Sequence, residues 1–87
     1  MLFGYGKEIL TRVHPDGSVE QKETTLRNWE EVSTKQEFQH RVMVHNEDQI
    51  LGEFIKFRKD HPEDGHSFFI EHTTKGQYIV KCWTPKT

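Results

Sequence analysis

Six histidines, a single cysteine and one acidic loop are the residues of this 87-residue chain whose types could support chemistry. A metal centre needs three or four nitrogen, sulfur or carboxylate ligands around one ion. His40 and His45 sit an odd number of residues apart on one expected strand, so they point to opposite faces. His66 and His72 share a face but stand roughly 20 Å apart at about 3.3 Å per residue, too far for one ion. Only the loop His61-Pro62-Glu63-Asp64-Gly65-His66 could gather two imidazoles and a carboxylate. No cysteine pair or second cluster completes a tetrahedral set, and turn chemistry alone accounts for its Pro, Asp and Gly. Neither a metal nor another cofactor is expected.

Nucleophilic chemistry fares no better. His66 is a diagonal neighbour of Cys82 on one sheet face, but a Cys-His pair also needs an oxyanion donor pair and a group orienting the imidazole, and neither can be assigned. A small apolar Cys82 packed beside Phe68 is the simpler reading. Glu71 and Lys75 lack the spacing of a nuclease carboxylate-lysine pair. Gly4-Tyr5-Gly6 has the glycines of a phosphate loop without the following Lys-Ser/Thr or helix. The chain is expected not to be an enzyme.

The elements that carry these residues follow from local signals. In Val13-His14-Pro15-Asp16-Gly17-Ser18-Val19, Pro presets a turn dihedral, Asp bonds its own backbone and Gly takes a left-handed position, which predicts a hairpin. Its register places Val13 opposite Val19, Arg12 opposite Glu20 and Thr11 opposite Gln21. The first strand runs roughly over residues 3–13. The second, over roughly 18–25, is almost wholly polar and reads as an edge. A second hairpin joins residues 66–73 to 77–83 through Thr74-Lys75-Gly76, with Ile70 opposite Val80, Phe68 opposite Cys82 and His72 opposite Tyr78. Between the hairpins lie a strand over about 38–45 and a helix over about 47–59. For that helix, Asn46 and Gln49 form a reciprocal cap, Glu47 and Asp48 occupy the positive end, Lys56, Arg58 and Lys59 the negative end, and His61-Pro62 the stop. Ile50, Leu51, Phe54, Ile55 and Phe57 fall on one helical face. The absence of alanine and the presence of Gly52 favour a rival strand reading, which the caps and the apolar face outweigh. Segment 26–37 gives the weakest signal, a helical turn at Asn28-Trp29-Glu30-Glu31 followed by loop.

The chain is thus expected to be one small α+β domain over 1–87: a five-stranded, mainly antiparallel sheet in the order β-β-β-α-β-β with one amphipathic helix packed on one face. This length excludes doubly wound and two-domain enzymes. By parity the helix covers Phe3, Tyr5, Ile9, Val13, Val19, Val42, Val44, Phe68, Ile70, Tyr78, Val80 and Cys82. The other face presents Leu10, Met43, Phe69, Ile79, Lys81 and Trp83, rimmed by Arg12, Lys22, Arg41, Glu8, Glu20 and Glu71. Either Leu26, Trp29, Val32 and Phe38 fold back over that face or it is open. An open apolar face rimmed by charge points to a protein partner or a second copy.

The expected function is a small binding protein, an accessory factor or inhibitor of the kind common among phage and mobile-element products. Single-stranded nucleic acid is the alternative, with Phe69 and Trp83 stacking bases and the basic side chains following the backbone. A net charge of −2 argues against strong binding of that kind. No apolar run approaches the length of a membrane span, and the first residues lack signal-peptide character, so a cytoplasmic location is expected.

Overall fold

The structure, a computed structural model, describes residues 7–14, 16, 18–62 and 65–86. Phe3, Tyr5, the Gly4-Tyr5-Gly6 segment, Pro15, Gly17, Glu63 and Asp64, all used in the sequence argument, lie outside the described residues. The elements run β1 (Glu8–Val13), β2 (Val19–Glu23), α1 (Leu26–Lys35), β3 (Gln36–Val44), α2 (Asp48–Asp60), β4 (Ser67–His72) and β5 (Tyr78–Pro85). Five strands form one antiparallel sheet in the order β2-β1-β4-β5-β3. The α+β class is as expected, and α1 is an additional helix where a turn and loop were expected.

Both hairpin registers match the expectation, from Val13 opposite Val19 to Phe68 opposite Cys82. In the first turn the Ser18 N–H donates to the Asp16 carboxylate at 2.9 Å, and the Ser18 side chain first, with this main-chain bond second, holds that carboxyl below its usual range. In the second, Gly76 takes a φ of +81°, the left-handed position the loop requires. Polar β2 is an outer strand, exposed throughout, and β3 is the other outer strand.

The capping pair forms at α2. Gln49 N–H donates to Asn46 Oδ1 at 3.2 Å, and Gln49 Oε1 accepts from the main-chain N–H groups of His45 and Asn46 at 2.7 and 3.3 Å. The helix packs on the sheet through Ile50, Phe54 and Phe57, over a core of Val44, Phe68, Ile70, Tyr78, Val80 and Cys82. Two of its apolar residues depart from the expectation: Leu51 is 63% and Ile55 53% exposed. The five-residue apolar arc is wider than the stripe a sheet can touch, so Ile50 and Phe57 are buried, Phe54 is partly buried between them, and the flank at 51 and 55 faces outward. Val19 is also exposed rather than covered. It sits at the end of an outer strand, beyond the strands whose side chains form this core.

β3 carries an irregularity that strand parity alone misses. Phe38 pairs with Trp83 and His40 with Cys82, so Gln39 is an extra residue, a bulge, with its side-chain amide donating to Thr84 Oγ1 at 2.8 Å. Before the bulge even-numbered residues lie on the same face as Trp83; after it odd-numbered ones do.

Candidate partner-binding surface

The second face of the sheet is neither open nor fully covered. α1 leaves the end of β2 and enters the start of β3, the two outer strands, and therefore crosses the sheet between opposite edges. Thr25 caps it by accepting from the Asn28 N–H at 3.1 Å. Val32 is its one buried side chain, forming a small second core with Leu10 and Phe69 and with Trp83 at the margin. Arg12 on β1 reaches Glu31 on the helix at 3.3 Å.

This arrangement corrects part of the expected binding set. Leu10 and Phe69 are each only 1% exposed, because Val32 of α1 packs with them and Trp83 closes the margin; neither can meet a partner directly. The other four remain accessible in different degrees. Met43 is 52% exposed, while Ile79, Lys81 and Trp83 are partly exposed. Trp83 packs against Phe38, centroids 5.3 Å apart, and edge-on to Phe69 at 6.3 Å. Phe38, brought to this face by the bulge, and Trp29 on α1 are also exposed, at 43% and 45%. Of the residues expected to fold back over the face, Val32 alone does so fully; Leu26, Trp29 and Phe38 stay at the surface.

The charges of this face are mostly neutralised within the chain. Lys81 Nζ lies 3.1 Å from Glu8, Arg12 is held by Glu31, and Lys22 lies 3.9 Å from Glu20. Of the two rings expected to stack bases, Phe69 is buried. The concavity beside Trp29 is lined by Lys7, Glu23 and Leu26, and its Lys7 and Glu23 are themselves paired at 3.1 Å.

On the α2 face, the histidines gather in a way their spacing in the sequence does not reveal. The ring of Phe57 has His61 at 4.5 Å, His40 at 5.2 Å and His66 at 5.3 Å between centroids, and Phe68 edge-on at 5.6 Å. The three imidazoles come from β3, the end of α2 and the segment before β4, and they pack as aromatic rings around a core phenyl. His66 is fully buried there. The signal available in the sequence was Phe57 on the buried helix face, four residues before His61. Among the described residues no group of three His, Cys, Asp or Glu is placed to hold a metal ion.

Cys82 lies in the same core, opposite Phe68 and His40. Burial first, and then the negative charge of Glu53, push its thiol from 9.0 up to about 12. At neutral pH it is a protonated core side chain rather than a nucleophile. A thiol whose pKa is higher folded than unfolded favours the native state fully below about pH 9, and that contribution is lost as the pH rises towards 12. Denaturant unfolding at pH 8 and pH 10.5 should therefore show a steeper alkaline loss of stability in the native chain than in Cys82→Ala. Equal losses would reject the assignment.

No described helix is long and apolar enough to cross a membrane. No protein-family model matches the chain, and no curated protein or solved structure matches it.

Proposed function

We propose that this chain is a small, non-enzymatic cytoplasmic binding protein, an accessory factor or inhibitor, which occupies the surface of a protein partner through the part of the α1 face that the helix leaves uncovered. The observation that carries this reading is the set of large apolar side chains left accessible on this face: Phe38, Met43 and Trp29 exposed, Ile79 partly so, and Trp83 partly so at the margin of the second core. Aromatic residues and Met at the centre of a patch, with charged groups at its margin, suit an interface core. Nucleic acid is the weaker reading, since Phe69 is buried and Arg12, Lys22 and Lys81 lie against carboxylates.

The test is affinity capture from the source cells, followed by reconstitution with the purified partner. Phe38→Ser combined with Ile79→Ser should weaken that binding at least tenfold, whereas Leu51→Ser on the opposite helix should leave it unchanged. Equal affinity for all three proteins, or salt-sensitive retention of single-stranded nucleic acid in place of a protein, would overturn the reading.

A further inference from the structure

We propose that β3 pairs antiparallel with β3 of a second copy about a two-fold axis at Val42, joining two five-stranded sheets edge to edge. The main-chain pattern sets the register. Thr73 N–H donates to the Gln77 carbonyl at 2.8 Å, so by alternation Glu71–Ile79 and Phe69–Lys81 are hydrogen-bonded pairs. Tyr78, Val80 and Cys82 then turn their main chain to β3, and their counterparts Val44, Val42 and His40 turn theirs to β5. The N–H and C=O groups of Arg41 and Met43 consequently face the free edge.

Around Val42, Arg41 meets the partner's Met43 and Met43 meets the partner's Arg41, forming four main-chain hydrogen bonds with every outward group used. Val42 faces the partner's Val42 in the closer, non-hydrogen-bonded type of pair. The neighbouring registers are worse. Centring on Arg41 sets two guanidinium groups opposite each other. Centring on Met43 requires the His45 N–H, which already donates to Gln49 Oε1 at 2.7 Å. The bulge at Gln39 confines the pairing to His40–Val44.

Charge on the layer above is consistent with the same axis. Glu53, Lys56 and Asp60 line the cleft between α2 and β3, together with His40, Arg41 and Val42. This acid-base-acid flank is self-complementary when a second α2 runs antiparallel, with Glu53 towards the partner's Lys56 and Lys56 towards the partner's Glu53. The half-exposed Met43 acquires cover from the aliphatic stem of the partner's Arg41.

Sedimentation equilibrium of the full chain should show a monomer-dimer equilibrium. Met43→Pro removes an N–H that serves no bond within the sheet, so the circular dichroism should be kept while dimer affinity falls roughly tenfold. Lys56→Glu, an exposed helix change, should also weaken the dimer, and adding Glu53→Lys should restore it. Val42→Cys should form an intermolecular disulfide in air, since facing Cα atoms of such a pair lie about 4.5 Å apart, within disulfide range. Met43→Cys should not, because its counterpart is Arg41. A chain that stays monomeric at every soluble concentration overturns the proposal, as does a dimer indifferent to both Met43→Pro and Lys56→Glu, or equal cross-linking at 42 and 43. The pairing stands apart from the partner reading, whose diagnostic variants lie at Phe38 and Ile79, so either can fail alone.

Discussion

Phe57→Ala should remove a large part of the stability of the fold at 25 °C. Phe57 is among the largest fully buried side chains, 2% exposed, and it is the ring on which His40, His61, His66 and Phe68 converge. Truncating a buried Phe costs about 3–5 kcal/mol through lost transfer free energy and an unfilled cavity. A domain of this size has a total stability of roughly 4–13 kcal/mol, so the loss is a large part of it. Collapse of the site cannot recover much, because the neighbours come from β3, β4 and both ends of one loop and cannot all move inward together. Phe57→Leu, which keeps most of the volume, should cost less than half as much. Denaturant unfolding monitored by circular dichroism reads both variants; a loss below about 1.5 kcal/mol for Phe57→Ala would show that the helix does not pack there.

The second large effect is at Phe69. On an open sheet face this ring would be solvent-exposed, and Phe69→Ala would change stability by no more than about 0.5 kcal/mol. Beneath α1, with Val32 and Leu10 against it, the same change should cost about 3–5 kcal/mol. Val32→Ala should cost less, since it removes a smaller side chain from the same cluster. Urea unfolding of the two variants distinguishes a covered from an uncovered face. A near-neutral Phe69→Ala would place α1 away from the sheet.

The sequence made some of this legible because certain residues leave the backbone few choices. Asp16 ahead of Ser18, and Gly76 at its left-handed position, fix two turns, and with them five residue pairs in the first hairpin and six in the second. Asn46 and Gln49 fix the start of α2 in the same local manner. α1 was not legible because its apolar residues, Leu26, Trp29 and Val32, are few and spaced by threes, and only Val32 reaches the core. Its position follows from having to join strands on opposite edges of the sheet, which is a property of the topology rather than of the segment. For the binding residues the consequence was direct: parity placed Leu10 and Phe69 on the correct face, yet parity carries no information about what lies above a face. The exposure of Leu51 and Ile55 has a similar origin, since an apolar arc measures the helix and not the width of the surface beneath it.

Gln39 gives the strand a property that resembles a reading frame. Residues 36 and 38 on one side of it, and 41 and 43 on the other, are phased to the same layer only because one residue is left over between them. Replacing Gln39 by another polar residue keeps the phase. Deleting it closes the bulge into a regular ladder, with Phe38 still opposite Trp83 and His40 opposite Cys82 as consecutive pairs, so Val42 and Val44 keep their places against α2. The strand therefore carries one residue of slack at this position: both a change of letter and the loss of that residue leave every other pairing in place, whereas the same loss further along, between Arg41 and Val44, would turn a run of side chains over.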